Sequence, residues 1–227
     1  MTENQFIESL RNEGIELTET MVQQFRLYAR LLQEWNKKIN LTSLTETSEI
    51  YEKHFYDSLL IKRLVTLDRE LCDVGSGAGF PGIPCKIVFP ELSLTIIEPI
   101  KKRCTFLEIL CQELQISVTI VNGRAEEITN EYDIVTARAV ANLRILAELC
   151  IPLVKKDGYF IAMKGSQGIK EKKEAQNAIT FLGCEEVKED VVMLLDEATR
   201  INLLYRKVKK TPTGYPRIYA KIKKNPL

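Results

Sequence analysis

Three glycines at alternate positions, Gly75, Gly77 and Gly79, follow a short apolar run that contains Asp73. Glycine lets the backbone turn tightly and leaves no side chain between the main chain and a ligand, so a cofactor can rest on this loop. No Lys-Ser or Lys-Thr pair follows the glycines, although a loop for nucleoside triphosphates needs one to hold phosphate and metal. The spacing therefore indicates a cofactor loop that is not a P-loop.

Two cofactor classes remain for this loop. The spacing Gly75-x-Gly77-x-Gly79 is typical of S-adenosyl-L-methionine (SAM) methyltransferases, whereas Gly77-x-Gly79-x-x-Gly82 matches the dinucleotide fingerprint. The predicted strand ends just before Gly75, so the dinucleotide match would begin two residues late. Asp73 suits a ligand that carries an ammonium group and a sulfonium, and it would repel a pyrophosphate. The residues favour SAM, and a glycine-rich turn without a ligand stays an alternative.

Glu98 closes a second apolar run, which starts at Ser93. An acidic side chain about twenty residues beyond such a loop commonly accepts hydrogen bonds from ribose hydroxyls. Position and residue type together predict that Glu98 binds the ribose of the cofactor. An exposed carboxylate at a strand end is the alternative.

Six cysteines and a single histidine limit the metal chemistry open to this chain. The cysteines form no C-x-x-C pair, so we expect reduced, buried thiols and no metal site. No apolar run approaches the length that spans a bilayer, and residues 1–11 lack the apolar core of a signal peptide. We therefore expect a cytoplasmic protein without membrane contact.

The net charge of +1 conceals a basic C-terminal segment. From Ala198 onward there are nine Lys or Arg residues and no acidic residue, so the preceding chain is net acidic. Such a segment can make sequence-independent contacts with RNA phosphates, and a solvated tail is the alternative. The predicted RNA contacts are Lys207, Lys209, Lys210, Arg217, Lys221, Lys223 and Lys224.

The elements that position these residues begin with helices. Thr2-x-x-Gln5 resembles a capping box, and apolar residues recur at a helical period between Thr18 and Trp35. These patterns predict two amphipathic helices in the first part of the chain.

A third helix is predicted to start near Thr47, and it places His54 and Asp57 on one otherwise apolar face. Buried polar groups need partners. The two side chains therefore either bond to each other inside a helical core or form a roof over the cofactor loop. Both interpretations stay open.

After Leu64 the apolar pattern alternates between strands and helices at spacings typical of βαβ units. The predicted strands are Leu71–Gly75, Ser93–Glu98, Val118–Val121, Tyr132–Ala137, Gly158–Met163, Val187–Leu195 and Arg200–Val208. The predicted helices are Ile83–Phe89, Lys101–Leu114, Asn142–Val154 and Ile169–Leu182. No helix fits between the last two strands. A terminal antiparallel hairpin after a parallel sheet distinguishes SAM methyltransferases from dinucleotide-binding relatives.

Arg138 and Lys164 lie at the ends of the fourth and fifth predicted strands. Ligands of open α/β sheets gather at the carboxyl ends of the strands, so both cations are expected to face the substrate. Surface salt bridges are the alternative. Residues 124–127 follow the third strand at the same edge, where an adenine ring can be held.

Together these motifs resemble the RsmG (GidB) family of bacterial methyltransferases, which transfer a methyl group from SAM to the N7 atom of a guanine in small-subunit (16S) ribosomal RNA. The resemblance covers nearly the whole chain. It rests on Trp35-Asn36, Asn40-Leu41-Thr42, His54-x-x-Asp57-Ser58-Leu59, the block from Asp73 to Pro84, Arg138-Ala139, Lys164-Gly165, Tyr215-Pro216-Arg217 and Pro226-Leu227.

The resemblance implies a Rossmann-like, class I SAM-dependent methyltransferase fold: a mainly parallel seven-stranded sheet, a C-terminal antiparallel hairpin and an N-terminal helical extension. We expect a helical cap at 1–65, a SAM-binding domain at 66–210 and a basic tail at 211–227. The implied partner is ribosomal RNA or the small ribosomal subunit, and the expected state is a monomer. The SAM contacts of the family correspond to Gly75, Phe80, Ala125, Glu126 and Arg138.

This chain departs from the family pattern at three positions. Many members have Arg where Lys53 stands, and many have Gly and Pro in the tail at Ala220 and Ile222. The sequence therefore predicts the charge of the tail and not its conformation.

Guanine N7 has an in-plane lone pair and no proton, so its methylation needs no general base. Positioning should dominate catalysis, and His54, Asp57, Arg138 and Lys164 are candidates for positioning the substrate. The N7 edge is inaccessible in an A-form helix, so the target guanine should lie in a loop or be extruded.

Three rival functions stay open. A methyltransferase for a small molecule or a protein would not need the basic tail. A dehydrogenase would need a catalytic acid and a cleft of dinucleotide length. An RNA-binding protein without catalytic activity would have a glycine loop that no longer binds a cofactor.

Overall fold

Short, nearly continuous apolar runs build the seven-stranded sheet at the centre of the computed structural model, which describes residues 1–227. The order is β3-β2-β1-β4-β5-β7-β6, and only β7 runs antiparallel to both of its neighbours. The strands are β1 Glu70–Val74, β2 Ser93–Ile97, β3 Thr119–Val121, β4 Tyr132–Arg138, β5 Val154–Lys164, β6 Cys184–Met193 and β7 Thr199–Lys207. The predicted fold class is confirmed.

Helices cover both faces of the sheet. They are α1 Glu3–Asn12, α2 Glu19–Asn36, α3 Thr47–Glu49, α4 Asp57–Leu59, α5 Gly82–Val88, α6 Lys101–Glu113, α7 Leu143–Cys150, α8 Gly168–Phe181 and α9 Tyr219–Lys224. One buried cluster joins the first face to α1, α2, α5 and α6. A second cluster joins the other face to α7, α8 and α9.

The predicted starts of the first two helices are confirmed. Thr2 Oγ1 accepts from the Gln5 amide at 3.3 Å while Gln5 Oε1 accepts from the Thr2 amide at 2.7 Å, which is a complete capping box. Thr18 Oγ1 accepts from the Met21 amide at 3.2 Å and caps α2. These bonds satisfy amides that the helices themselves leave unpaired.

The third helix begins at Thr47 as predicted, but it is not a single α-helix. We call residues 47–63 the roof segment: α3, a π-helix at Ile50–Tyr56, α4, and a 3-10 turn at Leu60–Arg63. The Phe55 ring fixes it to α2, with centroids 4.9 Å from Phe25 and 5.1 Å from Tyr28. A π-helical turn inserts an extra residue into a helical pattern, and such turns occur frequently at functional sites.

The predicted helix Asn142–Val154 is wrong at its end. Helix α7 stops at Cys150, a 3-10 turn spans Ile151–Leu153, and β5 already begins at Val154. Pro152 has no amide hydrogen to continue the helix. Apolar residues run on without a break from the helix into the strand, so periodicity alone could not place the boundary.

Strands β1 to β5 are parallel, so they end at one edge of the sheet, which we call the carboxyl edge. The loops that follow these strands meet there. Because β7 runs antiparallel, Arg200 near its start lies at the carboxyl edge and Lys207 at its end lies at the opposite edge.

The chain after β7 crosses the second face back toward the carboxyl edge. The amides of Val208 and Lys209 bond to Gly183 O at the opposite edge, and the Tyr215 ring packs against Phe181 at 5.1 Å. Ile222 of α9 is fully buried. The basic tail is therefore docked along α8 and α7.

The last residues are held by the first turn of α7. Arg144 donates to Pro226 O at 2.7 Å and also to the Leu227 carbonyl. No helix is long and apolar enough to cross a bilayer, and no cluster of three His, Cys, Asp or Glu side chains is arranged to hold a metal.

Candidate active site

The glycine loop after β1 adopts the left-handed backbone conformation at all three alternate glycines. The φ angles are +69° at Gly75, +61° at Gly77 and +104° at Gly79. A Cβ on Gly79 would lie 2.6 Å from Tyr28 Oη, and one on Gly75 would lie 2.7 Å from Val140. A Cβ on Gly77 would meet nothing within 4 Å. Two glycines therefore permit close packing, and the third presents bare backbone to an open space.

Asp73 holds the loop in shape from below. It is fully buried, and its Oδ2 accepts from Ser76 Oγ at 2.7 Å and from the Gly82 amide at 2.8 Å. Burial raises the pKa of Asp73 to about 6, although these two bonds favour the charged form. The sequence predicted that Asp73 faces the cofactor, but in the structure it bonds to the Ser76 hydroxyl and the Gly82 amide of the loop itself.

Glu98 contacts the tip of the same loop. Its carboxylate is 1% exposed and accepts from the Gly77 amide at 2.9 Å and from the Ile100 amide at 2.9 Å. Arg103 Nη1 lies 3.8 Å away. The acidic side chain thus stands beside the open space over Gly77, where the sequence placed the cofactor.

A cavity of about 460 Å³ adjoins the loop, and charged side chains from the roof segment, β4, β5, α8 and β7 line it. The connection is the Phe80 ring, which stacks on His54 at 4.3 Å and lies 5.0 Å below the Arg138 guanidinium. The sequence-predicted residues brought together here are His54, Asp57, Arg138 and Lys164.

His54 is neutral in this cavity. Burial, and then the positive charges of Arg138 and Arg200, lower the pKa of His54 to about 3. Arg138 Nη2 lies 3.0 Å from Nδ1, and arginine can only donate, so the imidazole proton sits on Nε2. Nε2 in turn donates to Thr42 Oγ1 at 2.8 Å. Both ring nitrogens are therefore occupied.

Arg138 is the common partner of the roof residues. Its Nη1 donates to Asp57 Oδ2 at 2.9 Å and to the Lys53 carbonyl at 3.0 Å. His54 and Asp57 make no bond with each other, so of the two interpretations the roof over the loop describes their arrangement.

Arg200 is a site residue that sequence reasoning missed. Its Nε lies 3.2 Å from Asp57 Oδ2, so two guanidiniums share one carboxylate that is 3% exposed. The only signal was the position of Arg200 at the start of an antiparallel strand, which places it at the carboxyl edge.

Lys164 lies in the cavity wall and is 9% exposed. Its ammonium is 2.7 Å from Glu171 Oε2 and donates to the Ala141 carbonyl at 2.8 Å. The same carboxylate oxygen accepts from the Leu143 amide at 2.7 Å. Lys164 thus fixes the loop between β4 and α7. It lies at the predicted site position, and it also forms the salt bridge that was the alternative interpretation.

Ala125 and Glu126 lie in the 3-10 turn Ala125–Glu127, directly after β3 at the carboxyl edge. Ala125 is buried, and Glu126 Oε1 lies 3.7 Å from Arg124 Nη1. The Arg124 guanidinium also covers the Tyr219 ring at 5.5 Å. The basic tail therefore reaches the turn predicted to hold adenine.

The predicted RNA contacts do not form one surface. Lys207 is 3% exposed, and its ammonium donates to Ile151 O and to Thr211 Oγ1. Lys209 and Lys210 are exposed but border a hollow with Lys156 at the edge opposite to the site. The prediction for Lys207 is wrong because its charge is used inside the fold.

Arg217 is also engaged within the protein. It binds both carboxylate oxygens of Glu148, which is fully buried, at 2.8 and 2.6 Å. Lys221, Lys223 and Lys224 on α9 remain exposed.

The sequence of this chain was compared with family models and with known proteins. A sequence model of GidB, described as rRNA small subunit methyltransferase G, matches residues 21–201. The chain belongs to the GidB family. The ribosomal RNA small subunit methyltransferase G of Lysinibacillus sphaericus (strain C3-41) is 45% identical over 238 residues, which cover 100% of both chains. The resemblance drawn from the motifs is confirmed.

Solved structures support the fold. The ribosomal protein L11 methylase of Lactobacillus delbrueckii subsp. bulgaricus superposes with a TM-score of 0.55 at 16% identity, covering 69% of this chain and 79% of its own. TYW2 of M. jannaschii, solved with AdoMet, gives 0.53 at 11% identity, covering 67% and 75%. This GidB member is a methyltransferase, and SAM is its methyl donor.

Proposed function

We propose that this protein transfers the methyl group of SAM to the N7 atom of a specific guanine in 16S ribosomal RNA. The name of the family and of its full-length relative supports the RNA substrate. One observation carries the N7 assignment: every titratable side chain that lines the cavity is already bound to a partner within the protein.

The residues of the glycine loop fit SAM. The open space over Gly77 is a cradle that any side chain would fill, and the Glu98 carboxylate beside it can accept from ribose hydroxyls. Gly75, Gly79 and Asp73 shape the loop, and residues 125–126 border the same edge for the adenine. When bound there, SAM supplies an electrophilic methyl group on a sulfonium.

The nucleophile must then need no base. With a pKa of about 3 and a proton fixed on Nε2, His54 cannot take a proton near neutral pH. Asp57 is occupied by Arg138 and Arg200. A guanine N7 lone pair satisfies this condition, whereas an exocyclic amine or a ribose hydroxyl does not.

The chain contributes positioning and charge. The cavity is lined by four cations, which are Lys53, Arg138, Lys164 and Arg200, and by two carboxylates, Asp57 and Glu171. The excess of positive charge attracts a nucleotide phosphate. The product base is cationic, and the stacked His54 and Phe80 rings offer it an aromatic surface. We assign these side chains to holding an extruded guanine in line with the methyl group.

A ribosomal substrate implies action in the cytoplasm, and we propose a monomer with a SAM-binding unit, a helical cap and a basic tail. In the tail, only Lys221, Lys223 and Lys224 are retained as RNA contacts.

A substrate analogue tests the proposal directly. An RNA fragment that carries the target guanine should accept one methyl group, and the same fragment with 7-deazaguanine at that position should bind equally well and accept none. The single-turnover rate should be independent of pH around 6.5, because His54 does not titrate there. Methyl transfer to the deaza fragment, or a rate that rises with a pKa near 6.5, would overturn the N7 assignment.

A further inference from the structure

Among the exposed lysines that form no ion pair, four lie at the ends of two helices on the first face of the sheet. Lys37 and Lys38 follow the end of α2, and Lys101 and Lys102 begin α6. By contrast, Lys53 and Lys164 of the cavity are both neutralised by carboxylates. We call these four residues the lysine patch.

The two pairs of lysines lie at the same end of two adjacent helices. Gln24 Nε2 of α2 donates to Leu114 O just after α6 at 2.7 Å, and the Trp35 and Phe106 rings meet at 5.8 Å. The helices are therefore antiparallel, and the end of α2 lies beside the start of α6. At a rise of about 1.5 Å per residue, Lys37 and Lys38 lie within roughly 6 to 8 Å of Trp35 along the helix axis, and so do Lys101 and Lys102 with respect to Phe106.

The start of α6 is tied to the cofactor loop through Glu98. One carboxylate oxygen accepts from the Ile100 amide, directly before the first lysine of α6, and the other accepts from the Gly77 amide. The lysine patch thus borders the mouth of the site on the first face of the sheet. Helix α9 lies on the second face.

We propose that the lysine patch binds the phosphates of the RNA strand next to the target guanine. This inference rests on the proposed function. A nucleotide that enters the cavity carries its neighbours out across the carboxyl edge, and the unpaired charges of the patch are complementary to a polyanion there. The patch and α9 would then hold the strand on opposite sides of the glycine loop.

The test compares equal changes of charge at opposite edges. K37A/K38A and K101A/K102A are compared with K209A/K210A, whose two exposed lysines lie at the far edge. Each patch variant should lower the slope of log affinity against log salt by about 0.7 to 0.9 for each lost phosphate contact, and the control should leave it unchanged. SAM affinity, measured by calorimetry, should be the same in all of them.

The outcomes separate this inference from the function on which it rests. If the wild-type protein binds no SAM or methylates no RNA, the proposed function fails. If it does both and the patch variants keep the wild-type salt slope, only the lysine patch is wrong. Weaker binding to the assembled subunit without weaker binding to naked RNA would indicate a ribosomal protein as the partner and would also overturn the inference.

Discussion

Gly77 is the residue at which the cofactor loop can be tested without disturbing the core. Its open surroundings accept a side chain, so Gly77→Asp should abolish SAM binding by adding bulk and negative charge while the protein stays folded. Gly214 is the matched control, because its φ is +90° and a Cβ there also meets nothing within 4 Å. Calorimetry should show lost SAM binding for the first variant and normal binding for Gly214→Asp.

Glu98 bonds to the glycine loop and is also the proposed ribose acceptor. Replacing it with alanine removes the proposed ribose acceptor and also frees the Gly77 amide. Glu98→Ala should weaken SAM by about 1.5 to 3 kcal/mol, or roughly tenfold to a hundredfold. A loss below twofold in a titration would show that another group holds the ribose.

Asp73 links the loop to the pH dependence of stability. Its folded pKa of about 6 lies above the ordinary value of 3.8 for an aspartate, so the folded state retains the proton to higher pH than the unfolded chain does. The contribution of Asp73 is therefore most favourable below pH 4 and is lost as pH rises to 6, by about 3 kcal/mol. Urea unfolding of the wild type and of Asp73→Asn should show a stability difference that changes across this interval and is constant above pH 7.

Elements were more predictable than the contacts between them. The glycine loop and most helix and strand starts follow from spacing and periodicity. The π-helix in the roof segment was missed because its apolar face also satisfies an α-helical period. Helix α9 was missed because six residues rich in lysine have little helical signal, and burial of Ile222 holds them in place. The engagement of Lys207 with the fold depends on contacts between distant residues.

A buried ion pair between Arg217 and Glu148 docks the tail on α7. Glu148 is fully buried and balanced by Arg217, so Arg217→Met leaves an uncompensated buried charge. This should lower the free energy of unfolding by about 3 to 5 kcal/mol, and the double variant with Glu148→Leu should regain much of that loss. Urea unfolding measures both. Equal stability of Arg217→Met and the wild type would show that the tail is not docked in solution.

The sequence indicated a basic tail but not which of its charges remain free to bind RNA. Truncation after Thr211 would remove Arg217 along with the lysines. A fall in RNA affinity could then come from unfolding as well as from lost RNA contacts. K221A/K223A/K224A should instead lower the salt slope of RNA binding by roughly 2 to 3 and leave SAM affinity unchanged. K156A/K209A/K210A, the matched change at the opposite edge, should not alter the slope. A similar fall in both would indicate a general charge effect.

The position of β7 also affects how the chain is made. The last strand to be synthesised lies between β5 and β6, and β6 pairs only with β7. As the ribosome releases the chain, β6 emerges with both edges unpaired and with Val187, Val191 and Met193 exposed. Unpaired apolar strands promote aggregation. A stall that leaves β6 outside the ribosome while β7 is still within the exit tunnel should therefore increase aggregation of the nascent protein, and a stall with both strands enclosed should not.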